Sequence, residues 1–125
     1  MVDMPYRLSD APADLQAGVM EFWPAEKWDE AASISFLESD WKPFAQNDTT
    51  RGGLILCGTV LYVRDGVTIT AENSISYFQL NACNFPTWNP AHFFNARHNC
   101  GTAHLLWSMR GWEPWWFSAK TLGLL

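Results

Sequence analysis

Apolar residues recur first at helical spacing. Over 11–22, Leu15, Val19 and Phe22 stand at i, i+4 and i+7, Ser9 or Asp10 is placed to cap, and Pro12 falls in the first turn. A helix with one buried stripe is predicted. Pro24 opens a second helical stretch, 25–39, in which Trp28, Ala31, Ala32 and Leu37 suit a partly buried face, and Pro43 prevents its continuation. The next segment, 45–53, is rich in Asn, Asp, Thr and Gly and reads as a loop. The period then changes. Ile, Val and Tyr appear in short runs over 54–63, Arg64, Asp65 and Gly66 supply a turn, and 67–70 alternates, so a β-hairpin is predicted that should hold all the strands of the chain. Beyond Pro86 the spacing is helical again. Asn89 and Pro90 look like a cap and a first-turn proline, Phe93, Ala96, Cys100, Ala103, Leu106 and Trp107 recur as far as Met109, and Gly111 ends the run. A last amphipathic piece over 114–122 carries Trp115, Phe117 and Leu122.

Two helices, a small hairpin and two more helices make an α+β fold, predominantly helical, with the β-hairpin between helical halves. The chain of 125 residues suits one domain spanning 1–125. Eight Lys and Arg against 13 Asp and Glu leave a formal charge of -5, too poor in cations for a phosphate-binding surface, so no nucleic acid partner is expected. No run approaches the roughly 18 apolar residues of a membrane helix, and the first residues lack the apolar core of a secretory signal. Neither membrane insertion nor a signal peptide is expected.

Cys57, Cys83 and Cys100 are odd in number and form no C-x-x-C pair, which argues against a disulfide framework and a thiolate zinc site. Three small buried thiols are the expectation, with one bridge between two of them the alternative. His92, His98 and His104 fall on one predicted helix at six-residue steps, without an i, i+4 pair or a His-Glu-x-x-His pattern. No metal and no cofactor are expected.

Among the acids, Glu38 is placed differently. It follows Ile34 by four residues and Ala31 by seven, so its carboxyl leans toward the core, where loss of hydration raises a pKa toward what a general acid needs.

The segment Glu38-Ser39-Asp40-Trp41-Lys42-Pro43-Phe44-Ala45 is followed by Ser76-Tyr77-Phe78-Gln79-Leu80-Asn81-Ala82, then Phe94-Asn95-Ala96, then Arg110-Gly111-Trp112-Glu113-Pro114-Trp115. This ordered set resembles the lysozyme-like superfamily, in particular soluble lytic transglycosylases and the muramidase domains of bacteriophages. The resemblance covers roughly residues 28–115 and implies helices flanking a small sheet, with a cleft between them. It also implies cleavage of peptidoglycan strands between N-acetylmuramic acid and N-acetylglucosamine, Glu38 serving as catalytic acid/base. Ser39 and Gln79 become supports or sugar contacts, and Tyr77 and Asn81 lesser candidates for the cleft wall.

Two positions depart from the family pattern. Ser76 stands where transglycosylases carry Gly, and Ser74 stands where animal-type lysozymes carry a second acid. Glu72 is the nearest carboxylate, and strand alternation puts it on the same face as Ser74, so it is the candidate second carboxylate. If Glu72 does not reach the cleft, one glutamate must act as both acid and base and the sugar's own hydroxyl closes an anhydro ring, which tilts the expectation toward lytic transglycosylation.

Eight tryptophans suit a groove that stacks sugars, and Trp41 and Trp88, beside the motifs, are the candidate platforms. Trp107, Trp112, Trp115 and Trp116 are expected to pack the domain shut. The competing reading is a catalytically silent sugar-binding or phage structural module. As an enzyme the chain would be a monomeric phage lysin, released to the wall through a membrane lesion or carried on the virion.

Overall fold

A computed structural model describes residues 3–125. The described residues form the helices α1 (Ala13–Phe22), α2 (Trp28–Ser39), α3 (Ala96–Arg110) and α4 (Trp116–Leu122) and five short strands, β1 (Gln46–Asp48), β2 (Val60–Arg64), β3 (Val67–Thr70), β4 (Asn73–Ile75) and β5 (Leu80–Asn81). Helix predominates, and the class is α+β as expected.

The sheet is larger than the sequence pattern implied. Strands β2 and β3 pair as the predicted hairpin, but β1, β4 and β5 form a second antiparallel sheet in the order β1-β4-β5. These strands are two or three residues long and carry Asn, Ser and Asp, so no alternation is long enough to register. The stretch 54–59 is turn, and the first hairpin strand begins only at Val60. Helix α1 begins at Ala13 with Pro12 as its N-cap, because Ala11 is extended and closes the 3₁₀ turn Leu8–Asp10.

The helix predicted from Pro90 is interrupted. Pro90–Phe94 is a 3₁₀ turn, after which Asn95 takes an extended conformation and accepts a hydrogen bond from the His98 amide at 3.1 Å, restarting the chain as α3. Cys57 and Cys83 form a disulfide, their Cα atoms 5.6 Å apart, and only Cys100 is a buried free thiol. The expectation of three buried thiols fails because Asn81, accepting from the Cys83 amide at 3.1 Å, turns the chain so that Cys83 faces the loop ahead of β2.

The core collects Leu15 and Val19 from α1, Ala31, Ala32 and Ile34 from α2, Ile75, Tyr77, Phe78 and Leu80 from the sheet region, and Cys100 and Ala103 from α3. Each large apolar side chain removed from water contributes about 1.5–3 kcal/mol before the entropy of ordering is counted. Trp23 stacks on Phe78 at 5.3 Å and on Trp112 at 6.2 Å, while the Trp115 indole donates to the Phe78 carbonyl at 2.7 Å. Trp112 and Trp115 are buried as predicted, whereas Trp107 and Trp116 are only half-buried. Helices α1 and α3 meet at Gly18, where a Cβ would lie 2.5 Å from the Cys100 sulfur. The contact admits no larger residue.

Candidate active site

Helix α2 ends at Ser39, because Asp40 adopts a left-handed conformation (φ 52°) while its amide donates to the Phe36 carbonyl at 2.7 Å. Glu38 therefore sits in the last turn, one turn beyond the buried Ile34. Its carboxylate is half-buried and accepts a hydrogen bond from the Ser118 hydroxyl of α4. Burial pushes this carboxyl up from its ordinary 4.5 to about 7, the Ser118 hydrogen bond works in the opposite direction, and the negative charge of Glu72 adds to the rise.

Glu38 borders three adjoining depressions. The central one, about 340 Å³, is lined by Glu38, Asn47, Glu72, Ser74, Gln79 and Asn81, with Leu106, Pro114 and Trp115 among its further walls. A second of about 280 Å³ shares Glu38, Glu72, Asn81, Pro114 and Trp115 and extends to 67–70 and 116–117. A third of about 330 Å³ shares Leu37, Glu38 and Gln79 and reaches Lys42 and Gln46. Together they make one groove with Glu38 at its middle.

Glu72 faces the same groove. Its backbone is pinned by the Thr49 amide, which donates to its carbonyl at 2.8 Å, and by its own amide, which donates to the Thr49 hydroxyl at 2.8 Å. Its carboxylate accepts from the Ser74 hydroxyl and, at 3.3 Å, from the Asn47 amide. The shared face expected for Glu72 and Ser74 is present, and Ser74 serves the acid instead of replacing it.

The other predicted residues divide. Gln79 lines the groove with φ 48°, its Nε2 donating to the Ala45 carbonyl at 3.1 Å and the Ser76 carbonyl at 3.0 Å, while its Oε1 has no partner among the described residues. Asn81 lines it too; its Oδ1 accepts from the Asn73 and Cys83 amides, both at 3.1 Å, and its Nδ2 is left open among the described residues. Ser39 borders the third depression, but its buried hydroxyl is committed to the Ser35 carbonyl at 2.8 Å.

Tyr77, Trp41 and Trp88 lie elsewhere. The Tyr77 side chain is buried, its hydroxyl donating to Asp14 at 2.7 Å, and that burial raises its pKa. Trp41 packs edge-on against Phe36 at 5.1 Å and donates to the Ala32 carbonyl at 3.1 Å, on the far side of α2. Trp88 is exposed but stacks on Phe85 and Phe93, at 5.3 and 5.9 Å, and borders none of the three depressions. The aromatic wall of the groove is instead Trp115, Trp116 and Phe117.

Ser118, Asn47 and Asn84, the last of which also lines the central depression, have no counterpart in the sequence reading. Ser118 carried a signal: with Trp115, Ala119 and Leu122 it falls on the buried stripe of the last helix, where a lone hydroxyl needs a partner. Nor do the three histidines share one helix. The break at Asn95 brings the His92 and His98 rings to 5.8 Å, edge to face, yet no group of three or more metal-ligating side chains occurs among the described residues. No described helix is long and apolar enough to cross a membrane. Comparison of the chain with family models, curated proteins and solved structures found no match.

Proposed function

We propose that the groove cleaves the glycan strand of peptidoglycan between N-acetylmuramic acid and N-acetylglucosamine, with Glu38 as general acid/base in a lysozyme-like, muramidase-type domain. The observation that carries this reading is the half-buried Glu38 carboxyl at the centre of a three-part groove, with a second carboxylate, Glu72, on the same groove. Glycoside cleavage needs a proton for the leaving oxygen and a negative group for the sugar cation that develops. Glu38 holds the proton near neutral pH. Glu72, fastened by Ser74 and Asn47, offers the charge. The open Gln79 Oε1 suits an N-acetyl N–H, and the open Asn81 Nδ2 suits a sugar hydroxyl or carbonyl.

Glu72 also bears on the reaction type. A lone Glu38 would favour ring closure by the sugar itself, whereas a carboxylate sharing the groove lets water or the carboxylate attack. We therefore favour hydrolysis over transglycosylation. Mass spectrometry of digests of purified peptidoglycan tests this: reducing ends are expected, 1,6-anhydro ends would assign the alternative chemistry, and no released fragments would leave a sugar-binding module.

The pH profile follows from the same carboxyl. Glu38 must start the cycle protonated, so the rate is expected to fall as pH rises through about 7. The sign for stability agrees. A folded-state pKa raised above 4.5 contributes stability that is present below that value and lost as pH rises toward about 7. Initial rates measured from acid to mildly alkaline pH check it, and an alkaline limb that is unchanged in Glu38→Asp would count against Glu38 as its source.

A further inference from the structure

At one end the groove changes character. The second depression runs between β3 and the rings of Trp116 and Phe117, which meet edge to face with centroids 5.1 Å apart. A cation rests on each ring, although neither cation is itself part of the depression's lining. The Arg64 guanidinium carbon lies 4.3 Å from the Phe117 centroid, and Lys120 Nζ lies 5.1 Å from that of Trp116.

Cations are scarce in this chain, at eight against 13 acids; Lys42 borders the opposite end of the groove, and most of the others are engaged or distant. Lys27, Arg97 and Arg110 sit in close ion pairs, at 3.1 Å to Glu30, 2.7 Å to Glu21 and 2.8 Å to Glu113. Among the described residues Arg64 approaches one carboxylate, Asp65, loosely at 3.9 Å and with 60% of its side chain exposed. Lys120 has no carboxylate within ion-pair distance among the described residues. Stacking occupies the face of a guanidinium and leaves its edge N–H groups directed outward, in the geometry that accepts a carboxylate.

We propose that Arg64 and Lys120, seated on Phe117 and Trp116, form an anion subsite for a carboxylate of the peptides attached to N-acetylmuramic acid. This rests on the glycan-cleaving reading and extends it to substrate preference. The two alternating sugars of the strand share the same N-acetylglucosamine skeleton, so hydrogen bonds to that skeleton cannot tell one register from the next. Only the muramic sugar bears the peptide. A cationic pair beside the aromatic end of the groove reads that substituent and so fixes which of the two linkages reaches the acid. The overall charge of -5 gives no long-range attraction to an anionic wall, so this local pair supplies the favourable charge contact.

The test measures binding with the slow variant Glu38→Gln, followed by tryptophan fluorescence. The ligands are peptide-bearing glycan strands and the same strands with their peptide carboxylates converted to neutral amides, both free of teichoic acid. The single variant is expected to bind the strands with free carboxylates about tenfold more tightly. That preference should shrink with added salt and vanish when Arg64→Gln and Lys120→Gln are added, with affinity for the amidated strands unchanged. Equal binding of the two strands, or a loss on both alike in the triple variant, would overturn the subsite. If wild type cleaves strands while the binding preference is absent, the subsite alone falls; if neither strand binds, the glycan reading falls with it.

Discussion

Replacing Glu38 with Gln is expected to slow strand cleavage by roughly 10²–10⁴-fold, the usual contribution of a positioned acid/base, while leaving the fold intact. The amide matches the carboxyl in volume and its oxygen still accepts from Ser118, so groove shape and the contact between α2 and α4 persist. What is lost is the transferable proton. Stability should move the other way from activity. The wild-type carboxyl is held at about 7 by burial, so above that pH the folded protein carries a poorly hydrated charge close to Glu72, and the neutral amide removes that cost. Thermal unfolding above pH 7 should therefore show the variant at least as stable as wild type, a pattern expected of a group kept for chemistry instead of packing. Release of soluble fragments from purified peptidoglycan, measured beside the unfolding curves, checks both halves. A variant that lyses as fast as wild type would remove Glu38 from the mechanism.

The centre of this site was readable along the chain because helical geometry carries it. Ala31, Ile34 and Glu38 share one stripe, and a carboxyl on that stripe must approach the core. Glu72 and Ser74 were readable from their two-residue spacing, which in extended chain turns both side chains one way, although Glu72 itself lies one residue ahead of β4. The aromatic platforms were not. Trp41 and Trp88 stand beside the motifs in sequence, but adjacency along a loop does not fix a direction, and both rings turn toward other aromatics. The second sheet was hidden because β1, β4 and β5 are too short to alternate and are held by pairing across the chain, Gln46 with Ile75 and Ile75 with Leu80. The disulfide joins residues separated by 26 positions and depends on a turn that only tertiary contacts set. Asn95 is the instructive case. Its neighbours keep a helical spacing on both sides, yet an Asn in mid-run can cap a new helix as readily as continue an old one, and here capping wins.

The largest loss of stability is expected at Asn99, which lines none of the three depressions. This side chain in α3 is fully buried, its Nδ2 donating to the Ile75 carbonyl at 3.0 Å and the Phe93 carbonyl at 2.9 Å, while its Oδ1 accepts from the Phe78 amide at 3.0 Å. One amide thus ties together β4, the turn leading to Gln79, and the 3₁₀ turn ahead of α3. Leucine has nearly the same shape and no polar atoms, so Asn99→Leu strands three buried backbone groups at about 1–3 kcal/mol each, offset in part by the added apolar burial. A net cost of about 3–5 kcal/mol is a large share of the roughly 5–15 kcal/mol that holds a domain folded. For a chain of this size that should lower the melting temperature by about 10–20 °C. Activity should fail before global unfolding, since the turn released first carries Gln79 between the Ala45 and Ser76 carbonyls and shapes one wall of the groove. Calorimetry and strand cleavage followed over the same temperatures test the coupling: an Asn99→Leu protein that melts within a degree or two of wild type would show that the three backbone groups find other partners and that the groove does not depend on this amide.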